Sequence, residues 1–214
     1  MNVTAGNLSI YGGHAADSYA DPLMLSGDIY AGILSLGPQN VDVSGGTIFI
    51  QAGDANTGYG GGFAAIEVLG GADQSIKAHS MTLNAGNGQS GLAIVYSGGN
   101  QTVTIYGGQL TLNAGAGSNA DAAELIAYGD QTIQFHGGGS IALTGGSLGV
   151  DNYAEIGSAT GHQWIGSVYG ANPTIVLTGG AGGGSFDHNN DAGIHLDDNT
   201  NVSGTQTVYA ASIS

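Results

Sequence analysis

Gly129-Asp130-Gln131-Thr132-Ile133 is written, with small changes, six times along the chain. The other copies are Gly37-Pro38-Gln39-Asn40-Val41, Ala72-Asp73-Gln74-Ser75-Ile76, Gly99-Asn100-Gln101-Thr102-Val103, Gly161-His162-Gln163-Trp164-Ile165 and Gly204-Thr205-Gln206-Thr207-Val208. Successive glutamines stand 35, 27, 30, 32 and 43 residues apart, the mark of one structural unit repeated with connections of variable length. In an extended strand, residues two apart share a face. Each glutamine and the apolar residue two positions later therefore point inward, and the residue between them points out. A lone buried carboxamide would be costly, but copies stacked one per coil can bond each other's amides along the stack. The spacing predicts a glutamine ladder of Gln39, Gln74, Gln101, Gln131, Gln163 and Gln206; the plainer reading is a favoured turn residue.

Working outward from that motif, another strand opens each unit. Its inward pairs are Leu8 and Ile10, Ile48 and Ile50, Met81 and Leu83, Leu110 and Leu112, Ile141 and Leu143, then Ile175 and Leu177, each followed by a small-residue turn such as Ala85-Gly86 or Gly145-Gly146. A variable loop comes next, and then a short second strand near residues 33–36, 65–68, 93–95, 123–126, 154–156 and 192–196. Three short strands per unit of about 30 residues, without helical periodicity, predict an all-β fold. The expected architecture is a parallel β-helix (β-solenoid) of about six triangular coils, forming a single domain over residues 1–214. At about 4.8 Å per stacked strand, six coils make a body on the order of 30 Å long.

Composition narrows the function. Of 214 residues 42 are Gly and 3 are Pro, which fits neither collagen nor a proline-rich disordered segment, and 41% hydrophobic residues suffice for a core. The formal charge is -15, with a single Lys and no Arg, so phosphate backbones and anionic lipid surfaces would be repelled. Nucleic acid is not an expected partner, nor is membrane insertion, since no stretch is apolar enough to span a bilayer. With no Cys there is neither a disulfide framework nor a thiolate site. Scarce Lys and Arg beside abundant Gly, Asn, Ser and Thr suggest an extracellular or cell-surface bacterial protein. Met1-Asn2-Val3-Thr4 lacks the features of a signal peptide, so the expectation is a different export signal or a mature piece of a longer chain.

The glycine-punctuated strands of residues 110–115 and 130–138, set in an Asn-, Thr- and Gln-rich chain, resemble the β-helical repeat regions of filamentous-haemagglutinin-like secreted bacterial proteins. The resemblance implies an extracellular rod used in adhesion or matrix building. It carries over no catalytic residue.

An enzyme is not expected. Lyases on β-helices generally need Arg or Lys, and only Lys77 is present; Glu67, Glu124 and Glu155 read as an outward acidic stripe rather than a hydrolase pair. Asp187, Asn189, Asp191 and Asp198 offer oxygen ligands at alternating positions plus a later carboxylate, which suits Ca²⁺ as the one candidate cofactor. The same residues also suit a hydrophilic turn. In the fifth position after the first five of these glutamines, Ser44, His79, Tyr106, His136 and Val168 line up near one corner, either as a stacking column for sugars or as cover for a turn. Neither terminus shows a capping helix, and residues 210–214 begin what would be another coil. Copies are therefore expected to stack head to tail, with Val3, Leu8, Ile10, Val208 and Ile213 at the joint, into a filament or matrix fibre. The alternative is an adhesin-type module that presents loops to carbohydrate or calcium.

Overall fold

The computed structural model describes residues 1–13, 29–53, 62–87, 91–117, 121–180, 190–196 and 204–214. In these residues the strands run β1 (Asn2–Thr4), β2 (Leu8–Tyr11), β3 (Ile29–Ser35), β4 (Gln39–Gln51), β5 (Gly62–Val68) and β6 (Gln74–Asn84). They continue with β7 (Leu92–Ser97), β8 (Gln101–Ile105), β9 (Gln109–Asn113), β10 (Ala122–Ala127), β11 (Gln131–His136) and β12 (Ser140–Thr144). The last six are β13 (Tyr153–Ser158), β14 (Gln163–Tyr169), β15 (Thr174–Thr178), β16 (Ala192–Leu196), β17 (Gln206–Val208) and β18 (Ser212–Ile213). The fold is the expected all-β parallel solenoid: each strand pairs in parallel with its equivalent one turn away.

The three sides are built as follows. The first is β2, the end of β4, the end of β6, then β9, β12, β15 and β18. The second is the six-stranded sheet β3, β5, β7, β10, β13 and β16. The third is β1, the starts of β4 and β6, then β8, β11, β14 and β17, and it carries the glutamines.

Two expectations need correction. The coil count differs slightly from the expected six or so: among the described residues four levels of the second side have neighbours both above and below, and the end turns are partial and more exposed. Nor are the strands always three to a coil. β4 and β6 run without interruption from the third side into the next first side and fuse those sides into one sheet. The cause lies in the corners. Ala78-His79-Ser80 holds no glycine, and Gly45 and Gly46 do not adopt positive φ, so the chain stays extended there. The later corner at Gly137, Gly138 and Gly139 has φ of 92°, 85° and 140°, a left-handed run that breaks the strand. At Gly139 a Cβ would lie 2.4 Å from the Gly108 carbonyl oxygen and 2.7 Å from the Phe135 ring, so no other residue fits.

One apolar core runs through the stack in continuous rows. Val41, Ile76, Val103, Ile133 and Ile165 form one on the third side; Ile48, Met81, Leu110, Ile141 and Ile175 form one on the first. The second side is narrower inside, with an alanine row (Ala31, Ala64, Ala93, Ala123, Ala154, Ala192) beside an aliphatic row (Ile33, Ile66, Val95, Leu125, Ile156, Ile194). Each fully buried branched side chain contributes about 1.5–3 kcal/mol.

Candidate functional site

The glutamine ladder is present at every step. Nε2 of Gln74 donates to Oε1 of Gln39 at 3.0 Å, Gln101 to Gln74 at 2.9 Å, Gln131 to Gln101 at 2.9 Å, Gln163 to Gln131 at 2.8 Å and Gln206 to Gln163 at 2.6 Å. The same amides do a second thing that spacing alone did not reveal. Gln131 Nε2 also donates to the Leu125 carbonyl at 2.9 Å, and Gln74, Gln101, Gln163 and Gln206 reach second-side carbonyls in the same way. Each carboxamide thus pins the corner between second and third sides while linking one level to the next. From Gln39 to Gln163 the glutamines are buried, and Gln206 is exposed.

Two further polar columns escaped the sequence reading. The residue just before each glutamine from Gln74 onward forms one: the Asn100 N–H donates to Asp73 Oδ1 (2.9 Å), Asp130 N–H to Asn100 Oδ1 (2.9 Å), His162 N–H to Asp130 Oδ1 (2.8 Å) and Thr205 N–H to His162 Nδ1 (3.0 Å). Its signal stands in the quoted motif itself, as Asp, Asn, Asp and His ahead of Gln. The other column is buried ahead of the second side. Asp121 accepts from the N–H groups of Gly91 (2.6 Å) and Gly117 (3.0 Å), its own N–H donates to Asn152 Oδ1 (2.8 Å), and the Asn152 N–H donates to Asn190 Oδ1 (2.9 Å). Asn190 has a φ of 54°, so its place in the column comes with a left-handed backbone.

Of the calcium residues, Asp187, Asn189 and Asp198 lie outside the described residues. Asp191 is exposed, and its carbonyl accepts the Ala154 N–H at 2.9 Å. Among the described residues no group of three His, Asp or Glu side chains gathers as a metal site.

Glu67, Glu124 and Glu155 do not form one stripe. Glu124 and Glu155 are neighbours in one row, whereas Glu67 belongs to the row of Tyr96, Ile126, Gly157 and His195. The Tyr30 hydroxyl donates to Glu67 (3.2 Å) and the Tyr153 hydroxyl to Glu124 (2.6 Å), while His195 pairs with Glu155 at 3.0 Å. Burial pushes the Glu67 carboxyl up; burial and then the Glu67 charge push Tyr30 up to about 12. Burial, with the Glu124 charge next, pushes Tyr153 up further.

The corner column is aromatic, with one correction. Tyr106 and His136 rings lie 4.9 Å apart, and the next member is Tyr169 at 5.3 Å from His136, because a register shift after Phe135 moves Val168 out of line. On the third side a shallow groove of about 430 Å³ is lined by Asn2, Asn40, Asp73, Ser75, Asn100 and Thr102, among others.

The ends are open. At one end Val208 is half-buried and Ile213 is 63% exposed; at the other lie Val3 and Leu8, both half-buried. Val3 and Val208 belong to the same inward row, and so do Leu8 and Ile213. Ile10 differs from these four in being buried within its own chain. Among the described residues no helix is long and apolar enough to cross a membrane. The chain matches no family model, no curated protein and no solved structure.

Proposed function

We propose that this chain is an extracellular structural subunit that stacks head to tail into a filament or matrix fibre. The observation behind the reading is the match of its two ends. Val3 and Leu8 lie in the same rows as Val208 and Ile213, and all four sit on strands that pair with no further strand on their outer side among the described residues. A second copy placed on those edges extends both rows without closing a ring, which is the geometry of a fibre. Location outside the cell rests on composition and on the filamentous-haemagglutinin resemblance.

The test is substitution at the end that unfolding does not need. Val208→Lys with Ile213→Lys should abolish fibres in electron micrographs while leaving Tm within a few degrees of the parent, since the pair lies in the exposed final turn. Continued polymerisation of the double variant sinks the reading.

A second reading, an adhesin-type module for carbohydrate, is supported by the amide- and hydroxyl-lined groove at Asn40, Ser75, Asn100 and Thr102. Glycan-array binding lost on Asn100→Ala would favour it.

A further inference from the structure

The first side differs from the other two in what it presents to solvent. Among the described residues its strands hold no Asp, Glu, Lys or His, whereas the second side carries Glu67, Glu124, Glu155 and His195 and the third carries Asp42, Lys77 and His136. Its levels also stay in step. From Thr47 onward one outward column runs Phe49, Thr82, Thr111, Ala142 and Val176, every member bearing a ring or a methyl group. Beside it Asn113 Nδ2 donates to Asn84 Oδ1 at 2.7 Å and Asn84 Nδ2 to Gln51 Oε1 at 3.2 Å, which fixes the outward amides before anything docks on them. The face is open, with Val176 42% and Tyr11 62% exposed, and Thr144 and Thr178 exposed as well.

We propose that the first side is a lateral self-association surface, on which the first side of a second copy packs face to face. The centre is apolar and the flanking columns are amide and hydroxyl, the anatomy of an interface core with its rim. Two chains of formal charge -15 repel wherever carboxylates meet, and this side carries none. A second copy also has the same strand spacing, so each level of one face meets a level of the other, as in paired cross-β sheets. Six strands at about 4.8 Å and five residues at about 3.3 Å give a face of about 29 by 17 Å, so a pair removes roughly 1,000 Å² from water, enough for a weak specific contact. A two-fold axis along the central column sets Thr111 against Thr111, and lays the amides of each copy over the hydroxyls of Ser80, Ser140 and Thr174 in the other. The contact does not require the filament reading: it joins rods side by side, whereas end-to-end stacking keeps equivalent residues about 30 Å apart.

The chain has no cysteine, so a single one reports the contact. The full chain carrying Thr111→Cys is treated with a short bismaleimide, and covalent dimer is read on a denaturing gel; Thr132→Cys, at an outward position of the third side, is the control. The expected dimer yield for Thr111→Cys is about tenfold above the control, is lost when Ala142→Glu is added one level away, and survives Ala142→Gln, because only the first of these opposes two carboxylates. Equal yields from Thr111→Cys and Thr132→Cys, or a yield that Ala142→Glu leaves unchanged, overturn the surface. So does retention of the chain on insoluble cellulose with no dimer formed, which would give the face to a glycan. Fibres in electron micrographs without dimer remove the lateral contact and leave the filament reading standing; dimer without fibres does the reverse.

Discussion

The middle of the stack and its last turn are built from the same motif and differ in what surrounds it. Gln131 is fully buried and bonded to a glutamine above and below, whereas Gln206 has one glutamine neighbour and is exposed. Leu110 is inaccessible; Ile213, in the same inward row, is 63% exposed. The repeat therefore does not carry stability in itself. Stability is a nearest-neighbour property, supplied where a turn has partners on both sides.

Substitutions across the two regions should make that difference measurable. The largest effect is expected at Phe135, fully buried in β11. Phe135→Ala should cost about 3–5 kcal/mol in denaturant unfolding. Tyr209→Ala, at a half-exposed ring 6.2 Å from Trp164, should stay within about 1 kcal/mol. Equal losses at both sites would break the comparison.

The ladder gives the next step down. Gln131→Leu strands Oε1 of Gln101 and removes the acceptor of Gln163 Nε2, for an expected cost of about 2–4 kcal/mol. Gln206→Leu removes the terminal rung and should cost about 0.5 kcal/mol or less, read from the same unfolding curves.

The smallest effect concerns pH. Glu67 is raised in the folded chain by burial, so protonation favours folding. Its contribution is fully present below the ordinary glutamate value of about 4.3 and is lost as pH rises through the raised value. Glu67→Gln should accordingly raise Tm slightly at pH 7 to 8 and leave it unchanged near pH 3. A lowered Tm at pH 7 would mean that the bond from Tyr30 outweighs the burial.

How much of this was legible in the sequence follows from what each residue has to do. The glutamines and the first-side pairs were readable because a buried position repeated every level admits few residue types, and period and chemistry agree. Of those first-side pairs, Ile10, Ile48, Ile50, Met81, Leu83, Leu110, Leu112, Ile141, Leu143 and Ile175 are buried. The column at Asp121, Asn152 and Asn190 keeps step with the alanine row, each two residues ahead of Ala123, Ala154 and Ala192, but it stands at the end of loops of unequal length, which hid the repeat. Glu67 was misplaced because the second side signals its register through alanines, which are too common to fix a phase. Val168 was misplaced by a bulge, and a one-residue insertion leaves composition unchanged.

The glutamine column has a direction. From Gln74 to Gln206 each carboxamide hands its N–H to the glutamine one turn before, and from Gln39 to Gln163 each offers its oxygen to the one after, so the amide dipoles add along the axis instead of cancelling. The rod is a vector, with its positive pole toward Met1. A fibre assembled from such units would have two chemically different tips, one presenting the oxygen of Gln206 and the other the strand beneath Gln39. Seeded growth would then run faster from one tip than from the other.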